Sequence, residues 1–209
     1  MLMATEVLVE QNTEEWQDER RGRVTSSELN NVLMPHDKAG YKNYKAQIVI
    51  EQLTGKTPER FGGSKSMDWG HDTEDLAATM YSLKTGNIVR SCGIFVHKWM
   101  AFADSPDRMV VDQPGTVEIK CKNSANHLLA LKTNEVPNEY KAQVQNHIQF
   151  TDSEWCDYVS FDPDFPPETQ LFIKRVYKDE AYCKHLTLQV SLFLDEVEAD
   201  IKFLEEYKG

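Results

Sequence analysis

Two acids and a lysine near the middle of the chain have types and spacing suited to chemistry. Asp107 follows Ser105-Pro106, and the stretch Val117-Glu118-Ile119-Lys120 comes shortly after. Side chains alternate direction along a strand, so Thr116, Glu118 and Lys120 share one face, and Val117, Ile119 and Cys121 the other. The apolar face can pack into a core, while the polar face sets a carboxylate beside an ammonium. Hard divalent cations such as Mg2+ take oxygen ligands, often one or two carboxylates with water and substrate phosphate. Asp107 and Glu118 are the candidate ligands, and the main-chain carbonyl of Ile119 could add a third oxygen. Lys120, kept cationic by the acids, could orient an attacking water and stabilise charge building on a phosphate. Such a set is the minimum equipment for cutting a phosphodiester by in-line attack. Asp104 and Asp112 compete for the ligand role. Asp112 sits in the turn signal Asp112-Gln113-Pro114-Gly115, whereas the Ser-Pro before Asp107 fixes a bend that could aim its carboxylate inward. A Glu and a Lys two apart on a half-exposed strand also read as ordinary surface charge.

The elements that must position this set are legible in outline. Asn12-Thr13-Glu14-Glu15 and Thr25-Ser26-Ser27-Glu28 have capping-box form. They open predicted helices over 12–21 and 25–33, the second ended by Pro35. Residues 41–53 read as a third helix closed by Gly55. Residues 68–84 read as a fourth, with Leu76, Met80 and Leu83 at helical spacing. The period then changes, and residues 87–97, 99–103 and 116–122 read as strands. Helices are expected over 124–131 and from Pro137 to about residue 150, and strands over 154–161 and 170–177. Residues 179–207 form a long acidic amphipathic helix with Leu186, Val190, Phe193, Leu194, Val197, Ile201 and Leu204 on its apolar side. The order predicts an α/β fold with a central mixed sheet flanked by helices.

Bulk composition narrows the classes. At 209 residues the chain is expected to be one domain. It would comprise an N-terminal helical part (1–66), a core (67–178) and the acidic C-terminal helix (179–209). No apolar run approaches the ~18–20 residues that span a bilayer, and residues 1–10 lack the pattern of a signal peptide. Cys92, Cys121, Cys156 and Cys183 form no CxxC pair, so a zinc or iron–sulfur cage is not expected and the thiols read as reduced, in a cytoplasm. The net charge of −11 is unevenly spread. Residues 1–19 hold six acids and no base, whereas residues 38–65 hold six bases against Glu51 and Glu59. A local basic groove for nucleic acid is compatible with that balance, because salt screens charges beyond ~8–10 Å.

Four blocks, in order, carry a family resemblance: Trp16 through Glu28; Trp69-Gly70 with Glu74; Ser105-Pro106-Asp107 with Glu118-Ile119-Lys120; and Tyr140-Lys141-Ala142-Gln143-Val144-Gln145. With them the chain resembles the lambda-type phage exonucleases, the YqaJ-type viral recombinase branch of the PD-(D/E)xK nucleases. The resemblance implies a PD-(D/E)xK nuclease core and a Mg2+-dependent exonuclease, with Mn2+ able to substitute. It implies degradation of one strand of linear duplex DNA from the 5′ end, leaving 3′ overhangs. Metal ligands fall at Asp107 and Glu118, the catalytic lysine at Lys120 and a further acid at Glu74. Tyr140 and Gln143 lie on the helix behind the site, where packing alone would also explain Tyr140. Arg20, Thr25, Ser27 and Ser105 match the family's pocket for a terminal 5′-phosphate, and Met67 its apolar wedge. A cap at Thr25 is the competing role for that hydroxyl. The family's arginine six residues after the lysine is here Asn126, with Lys122 or Arg108 as possible substitutes. A homotrimeric ring, a single-strand annealing partner, and a phage or prophage protein in the cytoplasm of a bacterial host are further implications. Another PD-(D/E)xK endonuclease and a non-catalytic DNA-binding scaffold are the alternatives.

Overall fold

In a computed structural model that describes residues 3–58, 67–121 and 123–208, with backbone only over 67–72, the chain order is as follows. It runs β1 (Ala4–Val7), α1 (Glu14–Arg20), β2 (Val24–Thr25), α2 (Leu29–Val32), α3 (Ala39–Thr54), α4 (Met67–Thr85), β3 (Val89–Arg90), β4 (Ile94–His97) and β5 (Phe102–Asp104). It continues with β6 (Arg108–Val110), β7 (Gly115–Cys121), α5 (Ser124–Thr133), α6 (Asn138–Thr151), β8 (Trp155–Phe161), β9 (Leu171–Tyr177) and α7 (Glu180–Glu206). The expected mixed α/β architecture is present, and the chain divides into two compact units interleaved in sequence.

One unit comprises Met1–Gly62, Gly93–Ser105 and Glu180–Gly209. Its sheet has the order β1-β4-β5-β2, with β2 parallel to β5 and the other pairs antiparallel. Trp16 of α1 packs on Ile94 and Ala103. The long helix α7 buries Leu186, Val190, Phe193 and Val197, as its periodicity predicts. Phe193 stacks on Tyr44 of α3. Leu204, placed on the same apolar side by spacing, is exposed near the helix end. The cap of α1 is Thr13, whose hydroxyl accepts from the Trp16 N–H at 3.3 Å, one residue later than predicted. Helix α3 stops at Gly55, which takes the left-handed φ of 66°.

The other unit comprises Gly63–Cys92 and Pro106–Asp179. Its sheet has the order β3-β6-β7-β8-β9, with β7 and β8 parallel and the rest antiparallel. Alternation decides which helix each strand face meets. Val117 and Ile119 of β7 and Val159 and Phe161 of β8 pack on α4 through Ala77, Ala78 and Tyr81. Cys156 and Tyr158 of β8 face the opposite way and pack on Ala130, Val144 and Ile148 of α5 and α6. Glu118 and Lys120 lie on that second face. Strand β8 is buried along its whole length.

Three expectations are corrected. The single strand predicted over 87–97 is two, β3 and β4, which join different sheets. Strands β1, β2 and β6 were not predicted. The buried stripe of α4 is Ala77, Ala78 and Tyr81, whereas Leu76 and Leu83 are 49% and 81% exposed. The small alanines let α4 lie close on the sheet. Tyr81 reaches through to donate its hydroxyl to Asp157 at 2.8 Å.

Candidate active site

Asp107 stands one residue before β6, and β6 pairs antiparallel with β7. This places its carboxylate where Oδ2 accepts the main-chain N–H of Ile119 at 2.6 Å. Ile119, expected for its carbonyl, thus contributes its N–H to orient Asp107. The next side chain back along β7 is Glu118, which is 0% exposed. Lys120 Nζ lies 2.5 Å from Glu118 Oε1, and Nε2 of His147 lies 2.7 Å from Glu118 Oε2. The three residues singled out for their spacing therefore meet at one place.

The two carboxyl groups are shifted in opposite directions. Burial holds the Asp107 carboxyl well above the usual range, and repulsion by Glu118 and Glu74 adds to it, against the pull of Lys120 and the Ile119 N–H. Burial also pushes Glu118 up, but Lys120 and His147 outweigh it and pull this carboxyl down to about 2. Lys120 is opposed by burial, yet the two acids hold its ammonium above the ordinary value. Asp107 and Glu118 are two acids that each raise the other's cost of ionisation. Among the described residues no group of three or more His, Cys, Asp or Glu side chains is arranged to hold a metal. The donor set fits Mg2+ in its usual manner, two carboxylates completed by water, main-chain oxygen and substrate phosphate.

Helix α6 supplies the wall. Tyr140, Gln143 and His147 recur at three- and four-residue steps, so they share one helix face. Lys120 Nζ sits 5.2 Å from the centre of the Tyr140 ring, close enough for a cation–π contact. Gln143 is half-buried beside them. Asn126, at the position where the family has an arginine, donates to the Tyr140 hydroxyl at 3.1 Å and to Glu139 at 2.6 Å. Glu74 of α4 is held by Arg108, whose Nη1 donates to Glu74 Oε1 at 2.7 Å and whose Nη2 donates to Asp75 at 2.5 Å. Arg108 is thus engaged by two acids of α4. His147 was not anticipated from the sequence, although its distance of seven residues from Tyr140 was a usable signal.

The hydroxyl and guanidinium groups of the predicted phosphate pocket also converge, within the first unit. Arg20 lies 4.2 Å over the Trp16 ring, and its Nη2 donates to Thr25 Oγ1 at 3.5 Å. Thr25 Oγ1 and Ser27 Oγ are 3.4 Å apart. Ser105 Oγ accepts the Trp16 indole N–H at 3.1 Å and donates to the Gly93 carbonyl at 3.2 Å. Thr25 makes no side-chain cap. The helix expected to open there begins as a 3-10 turn over Ser26–Glu28. Burial lowers the pKa of Arg20, only partly offset by Tyr44 and by Glu28, Asp104 and Glu51. A half-buried guanidinium beside two hydroxyls suits an anion. Asp104 is taken up by the Ser26 hydroxyl, and Asp112 occupies a left-handed turn position with φ 59°. The side chain of Met67, and Lys122 as a whole, lie outside the described residues.

Comparison with solved structures places this geometry. The alkaline exonuclease LHK-Exo from Laribacter hongkongensis superposes with a TM-score of 0.83 at 36% identity, covering 92% of this chain and 96% of that one. Its complex with dAMP gives a TM-score of 0.84 at the same identity and coverage. A phage-related exonuclease from Haemophilus somnus 129PT shares the fold, with a TM-score of 0.68 at 15% identity over 88% of this chain and 97% of that one. Among curated protein sequences none matches significantly. The family model described as the YqaJ-like viral recombinase domain matches residues 15–154. That range takes in Arg20, Asp107, Glu118, Lys120 and Tyr140 together, and on this match the chain belongs to the YqaJ-like viral recombinase family.

Proposed function

We propose that this protein is a Mg2+-dependent deoxyribonuclease, an exonuclease that digests one strand of linear duplex DNA from its 5′ end. The observation that carries the reading is the contact of Lys120 with the buried Glu118, on the strand whose Ile119 N–H holds the Asp107 carboxylate. Asp107 and Glu118 hold the cation, with Ile119 able to add its main-chain oxygen. When bound, Mg2+ supplies polarisation of the phosphate and acidification of water. Lys120 orients the water and stabilises negative charge on the phosphoryl oxygens. The water oxygen joins phosphorus as the P–O3′ bond breaks. The proton lost by the water balances the one taken by the leaving 3′ oxygen, and the product carries a 5′-phosphate. Glu74 adds negative charge near the pair, and Tyr140 and Gln143 bound the reacting region. Arg20, Thr25, Ser27 and Ser105 take the terminal 5′-phosphate. With Asn126 in place of an arginine, the demand for that phosphate is weaker than the family pattern implies. The relative at 36% identity is an exonuclease with a structure in complex with dAMP, which supports a nucleotide as the released product.

The remaining features follow the same reading: Mn2+ as a substitute, a homotrimeric ring around DNA, 3′ overhangs handed to a single-strand annealing protein, and action in the cytoplasm of a phage-infected or lysogenic bacterium. The test is digestion of end-labelled duplex, with and without a 5′-phosphate, in Mg2+ and then in chelator. Label at the 5′ end should be released first, only with metal, and not by Lys120→Ala. Release beginning at the 3′ terminus would contradict the direction, and equal consumption of DNA by Lys120→Ala would remove the nuclease assignment.

A further inference from the structure

The two oxygens of Glu118 have different partners. Oε2 accepts a hydrogen bond from Nε2 of His147 at 2.7 Å, and Oε1 meets the Lys120 ammonium at 2.5 Å. His147 and Glu118 are both 0% exposed. A carboxylate with no fixed partner can present either oxygen to a ligand. One tied through a ring on a packed helix cannot. The ring is carried on a well-held segment of α6, whose neighbours Val144 and Ile148 pack on Cys156 and Tyr158 of β8. At 2.7 Å the ring nitrogen and the carboxylate oxygen are in direct hydrogen-bond contact, which ties Oε2 to the ring. Imidazole suits the place because it donates without the permanent charge of lysine or arginine, which would oppose an incoming cation.

We propose that His147 is a positioning residue for the metal pocket: it fixes the rotation of Glu118 through Oε2 and leaves Oε1 as the oxygen that receives the divalent cation when Lys120 yields it. The inference rests on the assignment of Asp107 and Glu118 as metal ligands. It assigns His147 no contact with substrate.

The test is binding of Mn2+ to the full-length protein without DNA, read as free Mn2+ by electron paramagnetic resonance. The variants are His147→Phe, which keeps volume and loses the donor; His147→Gln, which keeps a donor at similar reach; and Glu118→Gln as the reference. Orientation of a ligand by its partner is worth about 10–100-fold in metal affinity. His147→Phe should therefore bind Mn2+ about 10–100-fold more weakly, with His147→Gln recovering most of the loss. Wild-type affinity in His147→Phe alongside weakened Glu118→Gln overturns the inference and leaves the metal assignment standing. A glutamine variant no better than the phenylalanine one also overturns it. Wild-type affinity in Glu118→Gln removes the metal assignment and the inference with it. If His147→Phe does not fold by circular dichroism, the imidazole 15N spectrum of the wild type is titrated with Mg2+. The His147 resonance should keep its Nε2–H form and shift at saturation, and a resonance indifferent to Mg2+ overturns the inference.

Discussion

Asp107, just ahead of β6, and Glu118, on the adjoining β7, have their pKa values shifted in opposite directions, and their effects on stability have opposite signs. Asp107 holds its proton more tightly in the folded chain than in the unfolded one. As pH rises from the ordinary carboxylate range through its raised native value, the folded state binds more protons than the unfolded state, so stability is lost. Glu118 is held down to about 2. Its contribution is present above the ordinary value and disappears as pH falls toward about 2. Ionising the buried Asp107 carboxyl therefore costs the folded protein stability. Asp107→Asn should stabilise it, by a share of the ~1–3 kcal/mol such a buried group costs. For a chain of this size that is about 2–4 °C in melting temperature per kcal/mol. If Mg2+ binds as proposed, it should raise the melting temperature of the wild type, and the same variant should lose both that shift and cleavage. Differential scanning calorimetry with and without Mg2+ reads both effects. Lys120 makes a complementary case. It stands on Glu118 Oε1, so on the proposed reading it should compete with a divalent cation for that oxygen. Lys120→Ala should bind Mn2+ at least as tightly as the wild type while losing about 10²–10³-fold in cleavage rate, the scale of one electrostatic stabiliser. Weaker Mn2+ binding in that variant would show that the lysine supports the metal instead of yielding to it.

At the level of elements, the strict alternation of β7 does most to build the site, and it was readable from sequence. The polar face Thr116-Glu118-Lys120 and the apolar face Val117-Ile119-Cys121 imply one covered side and one chemical side. Both sides prove to be covered, the second by α6. His147 was missed because a histidine among Gln145, Asn146 and Gln149 reads as one more polar helix residue until the strand opposite is known. The buried face of α4 was misjudged for a related reason. Leucines mark a face by hydrophobicity, but Ala77 and Ala78 mark it by how near the sheet can come. The short strands β1, β2 and β6 give too few residues for any period to show. The break between β3 and β4 comes at Ser91-Cys92-Gly93, and Gly93 gives it a physical reason. A Cβ there would lie 2.0 Å from the Val7 carbonyl oxygen, a main-chain atom with no freedom to swing away. Gly93→Ala should therefore force β1 off β4. The cost should be about 1–3 kcal/mol, that of forcing atoms into a filled space. Hydrogen exchange should accelerate selectively at residues 4–7, and unchanged protection there would mean that the strand pair can shift to accept the methyl group.

Across the whole molecule, a net charge of −11 must coexist with the polyanionic substrate proposed for it. The stretch of bases over 38–65 is the natural candidate for meeting DNA, and the described part of it behaves unevenly. Lys45 is turned to the acidic helix α7, with Nζ 3.1 Å from Glu196 and 3.0 Å from Asp200. His36 also lies 3.0 Å from Glu196. Burial opposes the Lys45 charge, but the two acids outweigh it and raise its pKa. Lys42, one turn away, is exposed. One lysine of the run thus secures α7 to α3, and its neighbour is left for solvent or phosphate. The two roles separate under salt. A phosphate contact contributes about −0.9 to the slope of log binding constant against log salt on duplex DNA. Lys42→Ala should therefore make that slope shallower by up to about one and leave unfolding unchanged if the exposed lysine meets DNA. Lys45→Ala should keep the wild-type slope and lower stability by about 0.2–1 kcal/mol for each partly exposed pair it breaks. Fluorescence anisotropy of labelled duplex at several salt concentrations, set beside urea unfolding of each variant, distinguishes them. A shallower slope in Lys45→Ala would place that lysine on DNA and reduce its bond to α7 to a contact of the unbound chain.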